Sequence, residues 1–181
     1  MSGIIGSRFN IRGSGLVGSL GTDGQVFTST GAGLSPAFED VAGGGKVLQV
    51  VQATDTTSRT TTSLTMVTAS SSLTVNITPA STSNKILVVL MLCGFGADAQ
   101  NTNAKVTVKR GATDISPSSG FADNNVVSGG ANYTGGGNSV LDSPNSTSQQ
   151  TYQYYMQGSG GNTARVSNGG FSSLTCFEIG A

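Results

Sequence analysis

The stretch KILVVLMLC, residues 85–93, decides the fold of this chain. It follows the turn-forming segment PASTSN and is apolar from Ile86 to Cys93, which predicts a continuous β-strand that is far too short to span a membrane. An antiparallel strand with one face in water alternates apolar and polar side chains, but this strand is apolar on both faces. We therefore predict that its second face is covered by the N-terminal part of the chain or by another copy of the protein. Self-association is the simpler cover, and burial at the centre of a monomer is the alternative.

Other segments after residue 45 also have β character. Residues 73–78 and 104–109 alternate apolar and polar side chains, and Gly111–Thr113 predicts a hairpin turn. Further strands are predicted over residues 46–52, 124–128, 139–142, 151–157, 164–167 and 173–179. Short strands separated by Gly, Ser, Asn and Pro, without helical periodicity, predict an all-β chain with an antiparallel β-sandwich or jelly roll.

Residues 1–45 have a different composition. Gly or Ser recurs every two or three residues, the apolar residues are isolated, and a Gly43–Gly45 run resembles a flexible joint. The sequence thus predicts two parts, an extended arm over residues 1–45 and a jelly-roll domain over residues 46–181. The arm is expected to dock its apolar side chains on another surface. The candidate anchoring residues are Arg8, Phe9, Ile11, Arg12, Leu16, Val26, Phe27 and Phe38.

The jelly-roll domain supplies the candidates for a core or an oligomer interface. They are Ile86, Val88, Val89, Leu90, Leu92, Tyr152, Tyr154 and Phe177. Val89 and Leu90 are expected to point to opposite faces of their strand. The cluster formed by Tyr152, Tyr154, Tyr155 and Met156 is expected to add aromatic surface of the kind that interfaces favour.

The composition excludes several classes of enzyme. The 181 residues include no histidine and no tryptophan, which removes Ser-His-Asp and Cys-His triads and His-ligated metal sites. Most carboxylates adjoin turn residues, where Asp caps backbone amides. Glu178 differs because it lies in an apolar strand. If it is partly buried it needs a partner, for which Arg59, Arg110 and Arg165 are the candidates, and exposure at the end of the strand is the alternative. We therefore predict a protein without catalytic residues.

No cofactor or metal is predicted. Residues 13–18, GSGLVG, match a dinucleotide-binding fingerprint by letter, but no strand–helix context surrounds them. Asp123–Asn125 is the nearest approach to a calcium loop, and a turn is the simpler interpretation. Nine basic residues balance nine acidic ones, so neither nucleic acid nor a membrane surface is an expected partner.

Cys93 and Cys176 are expected to be buried free thiols, with a single bridge between neighbouring strands as the alternative. The N-terminus has no basic region followed by an apolar run, so we expect a protein that is made without export.

Five stretches carry a resemblance to a known group of proteins. Residues 2–53, with SGIIGSRFNIRGSGLVGSLGTDGQ, resemble the N-terminal region of structural proteins from tailed bacteriophages, particularly marine and cyanobacterial ones. LTVNITPASTSNKILVVLML (73–92), AKVTVKRGATDI (104–115), VLDSPNSTSQQTYQYYMQ (140–157) and SSLTCFEIGA (172–181) resemble β domains of the same group. The strand rhythm is also similar to C1q/TNF-like jelly rolls, in which an internal apolar strand lies with the C-terminal one and three copies pack along an axis.

This resemblance implies a non-enzymatic component of the virion that is assembled in the host cytoplasm. A homotrimeric capsid decoration protein, of the cement or head-fibre kind, would bind the major capsid protein through its arm. The alternative is a short tail fibre or receptor-binding tip, held by tail or baseplate proteins and recognising a host surface glycan. A free-standing carbohydrate-binding module or hydrolase is a third class, and the absence of paired carboxylates disfavours the hydrolase.

Overall fold

A computed structural model describes residues 22–29, 36–40, 46–116, 120–127 and 129–181. The chain divides into two compact units, Met1–Gly44 and Gly45–Ala181. Throughout the described residues the regular secondary structure is β. Within these same ranges, no helix is long and apolar enough to cross a membrane.

The described part of the first unit is a short antiparallel strand pair. Strand β1 is Gln25–Thr28 and strand β2 is Ala37–Asp40. Phe27 lies directly opposite Phe38, with 5.1 Å between the ring centroids. Such aromatic cross-strand pairs stabilise a two-stranded ribbon. The sequence does not predict a strand here, because four residues are too few to show a sustained alternation.

The second unit is an antiparallel β-sandwich, as predicted. Its strands are β3 Val47–Asp55, β4 Arg59–Thr61, β5 Val67–Thr68, β6 Thr74–Ile77, β7 Lys85–Ala97, β8 Thr102–Arg110, β9 Thr113–Asp114, β10 Ala122–Val126, β11 Asn132–Asp142, β12 Gln150–Gln157, β13 Ala164–Val166 and β14 Ser172–Ile179. We call β3, β4, β7, β11, β13 and β14 sheet I, and β5, β6, β8, β9, β10 and β12 sheet II. In sheet I, β7 lies between β14 and β11, and β3 follows β14.

The hydrophobic core lies between the two sheets. Sheet I contributes alternate residues of β7, and sheet II contributes alternate residues of β8 and β12, as a half-buried antiparallel sheet requires. The fully buried side chains from these three strands include Ile86, Val88, Leu90, Val106, Val108, Tyr152, Tyr154 and Met156.

A β-bulge allows β7 to extend past the predicted strand. Leu92 lies opposite Gly136 and Phe95 lies opposite Thr134, so Cys93 and Gly94 together oppose a single residue of β11. Gly94 has a φ of 59°, and a Cβ there would lie 2.7 Å from the carbonyl oxygen of Asn168. Glycine is therefore required at this position. The bulge shifts the alternation by one residue and returns Phe95 to the core.

Some strand predictions differ from the observed elements. Strands β4 and β5 have three and two residues, which is too short for a periodicity to be visible. Strand β11 begins seven residues before the predicted start at Ser139, because the glycines Gly135–Gly137 hide the alternation. The Asp123–Asn125 stretch lies inside β10 and not in a turn.

Candidate functional site

The outer face of sheet I carries a row of apolar side chains across four strands. Leu141 of β11 lies opposite Leu87 of β7, Leu87 lies opposite Phe177 of β14, and Phe177 lies opposite Val50 of β3. The alternate residues Val140 and Val51 pack against the core, so Leu141 and Val50 point away from it. Directly opposed side chains of neighbouring strands lie close enough to contact one another. These four residues therefore form one continuous apolar row.

Two further rows continue the same face towards the bulge. They are Ser139, Val89, Thr175 and Gln52, and then Gly137, Met91, Ser173 and Thr54. We call these three rows of four positions the uncharged face, because none of the side chains is ionisable. Its polar groups are partly paired within the face, since the Gln52 Nε2 donates a hydrogen bond of 2.9 Å to the Thr175 Oγ1.

The apolar members of the uncharged face are accessible in the single chain. Val50 is 54% exposed, Met91 is 55% exposed and Leu141 is 50% exposed. Leu87, Val89 and Phe177 are half-buried between them. A contiguous apolar surface of this kind is characteristic of an interaction site.

The outer face of sheet II is different in character. Lys105 of β8 lies 3.6 Å from the carboxylate of Asp123 on β10, and Lys109 lies 4.7 Å from the centroid of the Tyr155 ring. Asp114 lies opposite Lys109. This face has the charged and polar side chains that an antiparallel sheet presents to water. The unusual feature therefore belongs to sheet I.

The structure divides the predicted core and interface residues between two environments. Ile86, Val88, Leu90, Leu92, Tyr152 and Tyr154 all face the core. Val89 and Phe177 lie on the uncharged face, so Val89 and Leu90 point in opposite directions.

The expectation that the tyrosine cluster adds aromatic interface surface is wrong for Tyr152, Tyr154 and Met156, because all three are buried between the sheets. Tyr155 is half-buried and lies under Lys109 on the outer face of sheet II. Sequence reasoning also missed Val50, Met91 and Leu141 as members of one surface. Their alignment depends on the register of four strands that are distant in sequence.

Among the predicted anchoring residues, Val26 is 42% exposed, Phe27 is 53% exposed and Phe38 is half-buried against Phe27. The others, Arg8, Phe9, Ile11, Arg12 and Leu16, lie outside the described residues, as does the glycine-rich segment 13–18.

Glu178 is the most buried carboxylate among the described residues. The prediction that an arginine pairs with it is wrong. The side chain is 1% exposed and accepts hydrogen bonds from the Gln49 Nε2 at 2.5 Å, the Ala80 amide at 2.6 Å and the Asn84 Nδ2 at 2.6 Å. Burial raises the pKa of Glu178, but these three hydrogen bonds outweigh it and lower the pKa below its ordinary value. Neutral donors therefore replace the expected cation.

Each of the three arginines proposed for Glu178 pairs with an aspartate. Arg59 lies 2.9 Å from Asp55, Arg110 lies 2.7 Å from Asp142, and Arg165 lies 3.1 Å from Asp98. These pairs are structural, because each joins strands or turns of the sandwich.

Further hydrogen bonds hold two of these aspartates in place. Burial raises the pKa of Asp55, but hydrogen bonds from Ser70, Arg59 and the Thr57 amide lower it to about 2. The Tyr152 hydroxyl donates to Asp142 at 2.7 Å, which adds a sheet II contact to that carboxylate.

The cysteines are free thiols, as the simpler sequence interpretation expected. Cys176 is fully buried in the core, whereas Cys93 lies half-buried at the bulge. Burial raises the pKa of the Cys176 thiol to about 12, and the negative charge of Asp142 adds to this shift. In the part of the chain that the structure describes, no three His, Cys, Asp or Glu side chains are grouped to hold a metal ion.

No protein-family model matches the sequence, and no curated protein matches it. Three solved structures of infectious bursal disease virus resemble the fold. The VP2 subviral particle is 11% identical, with a TM-score of 0.40, over 85% of this chain and 42% of that chain. The structure of the Gt strain is 13% identical, with a TM-score of 0.41, over 91% of this chain and 43% of that chain. The structure of the Gx strain is 13% identical, with a TM-score of 0.38, over 91% of this chain and 42% of that chain.

The chain spans less than half the length of these viral structures. Identities and TM-scores this low assign neither a family nor a function.

Proposed function

We propose that this chain is a non-enzymatic structural protein of a virus particle. Within that class we propose a homotrimeric capsid decoration protein, whose residues 1–45 bind the particle and whose sandwich projects from it. The observation that carries the proposal is the uncharged face of sheet I. An exposed apolar row four strands wide is typical of a surface that another protein covers, and a protein of an assembly has such surfaces.

The ionisable groups support a structural role. Asp55, Asp98 and Asp142 each form an ion pair that ties strands or turns together. Glu178 is enclosed by its three donors and does not reach a surface that a polymer substrate could contact. A general acid or base must lie within hydrogen-bonding reach of its substrate. These four carboxylates stabilise the fold, and a catalytic site would require different carboxylates.

The first unit supports the anchoring role of the arm. Phe27 is more than half exposed although it is a large aromatic residue. Because about half of the Phe27 side chain is already buried, docking it on another protein contributes about half of the 1.5–3 kcal/mol that full burial of an exposed side chain gives. Three linked arms would add avidity to these contacts.

The proposal is tested by quantifying the chain in purified particles with mass spectrometry. A decoration protein is expected at hundreds of copies per particle, in proportion to the major capsid protein. A small number of copies, in multiples of three or six as the symmetry of a tail requires, would instead indicate the tail fibre. Absence of the chain from particles would refute a virion role.

A further inference from the structure

We infer that the uncharged face of sheet I is the contact surface between copies of this chain. This inference rests on the self-association in the proposed function, and it assigns that association to named residues. The centre of the contact is the apolar row formed by Val50, Leu87, Leu141 and Phe177, together with Val89 and Met91.

The chemistry of the face suits burial against a protein surface. Removing an unpaired charge from water is costly, and none of the twelve positions carries one. The Gln52 side chain already donates to Thr175, so at least one polar pair needs no partner from outside. A charged ligand would find no opposite charge to bind at these twelve positions.

A second copy is the occupant that matches this chemistry. Sheet surfaces pack on one another when both are flat and apolar, and sheet II presents charged side chains instead. Of the two outer sheet faces, the uncharged face is the one that meets this requirement. In a trimer the β3 side of this face on one copy contacts the β11 side on the next copy, because a contact between identical patches would be two-fold. The nine basic and nine acidic residues give the chain no net charge, so copies do not repel one another as they approach.

The face is large enough for the centre of a standard interface, but the whole interface needs about four times its area, and the surrounding side chains must supply the rest. Four strands and five residues along each strand cover roughly 14 Å by 14 Å between the outermost Cα positions. A stable interface buries about 800 Å² on each partner, with an apolar centre and a polar rim. Val47 of the edge strand β3 is 56% exposed and lies opposite Ile179, so it continues the apolar area by one position. Lys85, on the other side of Ile179, ends that row with a charge.

The test measures the assembly of the full-length chain by analytical ultracentrifugation over a range of micromolar concentrations. We expect the wild-type chain to sediment as an oligomer. Val50→Asp and Leu141→Asp each place an unpaired carboxylate at one end of the apolar row, and each is expected to raise the dissociation constant at least about a hundredfold. Val127→Asp is the matched control, because Val127 is 71% exposed and lies just after β10 of sheet II. It is expected to leave assembly unchanged.

Circular dichroism and thermal unfolding establish that each variant is folded. If either aspartate variant fails to fold, Met91→Gln tests the same surface without adding a charge and is expected to weaken assembly about tenfold. A monomeric wild-type chain would overturn the inference, including the case in which the chain's own N-terminal residues cover the face. Assembly that resists the substitutions on the uncharged face would overturn it as well.

The outcomes separate this inference from the proposed function. A monomer that is found in particles refutes the contact and leaves the virion role intact. An oligomer that dissociates as expected but is absent from particles supports the contact and refutes the virion role.

Discussion

Replacing Glu178 by Gln tests whether a buried carboxylate without a cation stabilises this sandwich. In the native side chain, Oε1 accepts from the Ala80 amide and Asn84, and Oε2 accepts from Gln49. The substitution preserves the shape but turns one oxygen into an NH₂ group. If the remaining oxygen faces Ala80 and Asn84, the new NH₂ faces the NH₂ of Gln49. Gln49 cannot turn its amide without losing its hydrogen bond of 2.8 Å to the Thr78 carbonyl.

The expected loss follows from these contacts. A hydrogen bond to a charged group contributes about 1.5–3 kcal/mol, whereas a neutral bond contributes about 0.5–1.5 kcal/mol. One bond becomes a donor–donor contact and two lose their charge, a loss of roughly 3.5–6 kcal/mol. The variant no longer buries a charge, which offsets part of this loss, so the free energy of unfolding should fall by roughly 2–4 kcal/mol at neutral pH. That is a large part of the 5–15 kcal/mol that is typical of a whole domain.

The effect should depend on pH in one direction. The pKa of Glu178 is lowered by folding from an ordinary value of 4.5. Its contribution to stability is therefore complete above pH 4.5, and it disappears as the pH falls through the lower pKa of the folded state. The difference between wild type and variant should shrink over that interval. Asp55, Asp98 and Asp114 also have lowered pKa values, but they titrate in both proteins and cancel in the difference.

Urea unfolding followed by circular dichroism, at one protein concentration and several pH values, measures this difference. Glu39 provides the matched control, because it is the other glutamate of the chain and is exposed. Glu39→Gln is expected to change the stability of the sandwich by less than about 0.5 kcal/mol. The reasoning is refuted if Glu178→Gln is as stable as wild type at neutral pH, or if its deficit stays constant into acid.

Three further outcomes are expected. Deleting residues 2–40 should leave a soluble, folded, oligomeric protein that no longer joins particles, and full occupancy of particles by the truncated chain would locate the anchor in the sandwich. The purified protein should release no product from host polysaccharide or peptidoglycan, and turnover that is lost in a folded Glu178→Gln variant would contradict this. The Cys176 thiol should stay unmodified by a thiol reagent at neutral pH until the protein unfolds, because it is fully buried and its pKa is raised to about 12. Rapid labelling of Cys176 in the folded protein would show that the core opens easily.

Local pattern in the sequence was enough to predict the sandwich and most of its strands. Residues 73–78 alternate because one side of a strand faces the core and the other faces water, and this depends on the backbone of that strand alone. The same local geometry predicted that residues 85–93 have two apolar faces. The absence of histidine from the sequence was enough to exclude catalytic triads and metal sites that depend on histidine.

Tertiary structure decided which distant residues meet. Glu178 is 129 residues from Gln49, 98 from Ala80 and 94 from Asn84, so no local pattern could identify these donors in place of an arginine. Likewise, each apolar residue of the uncharged face was visible in its own strand, but a shift of one residue in any strand would have turned its side chain into the core. Register depends on how turns close and on the bulge at Gly94, which the alternation of a single strand does not contain. The sequence therefore determined the strands, and their alignment determined the surface.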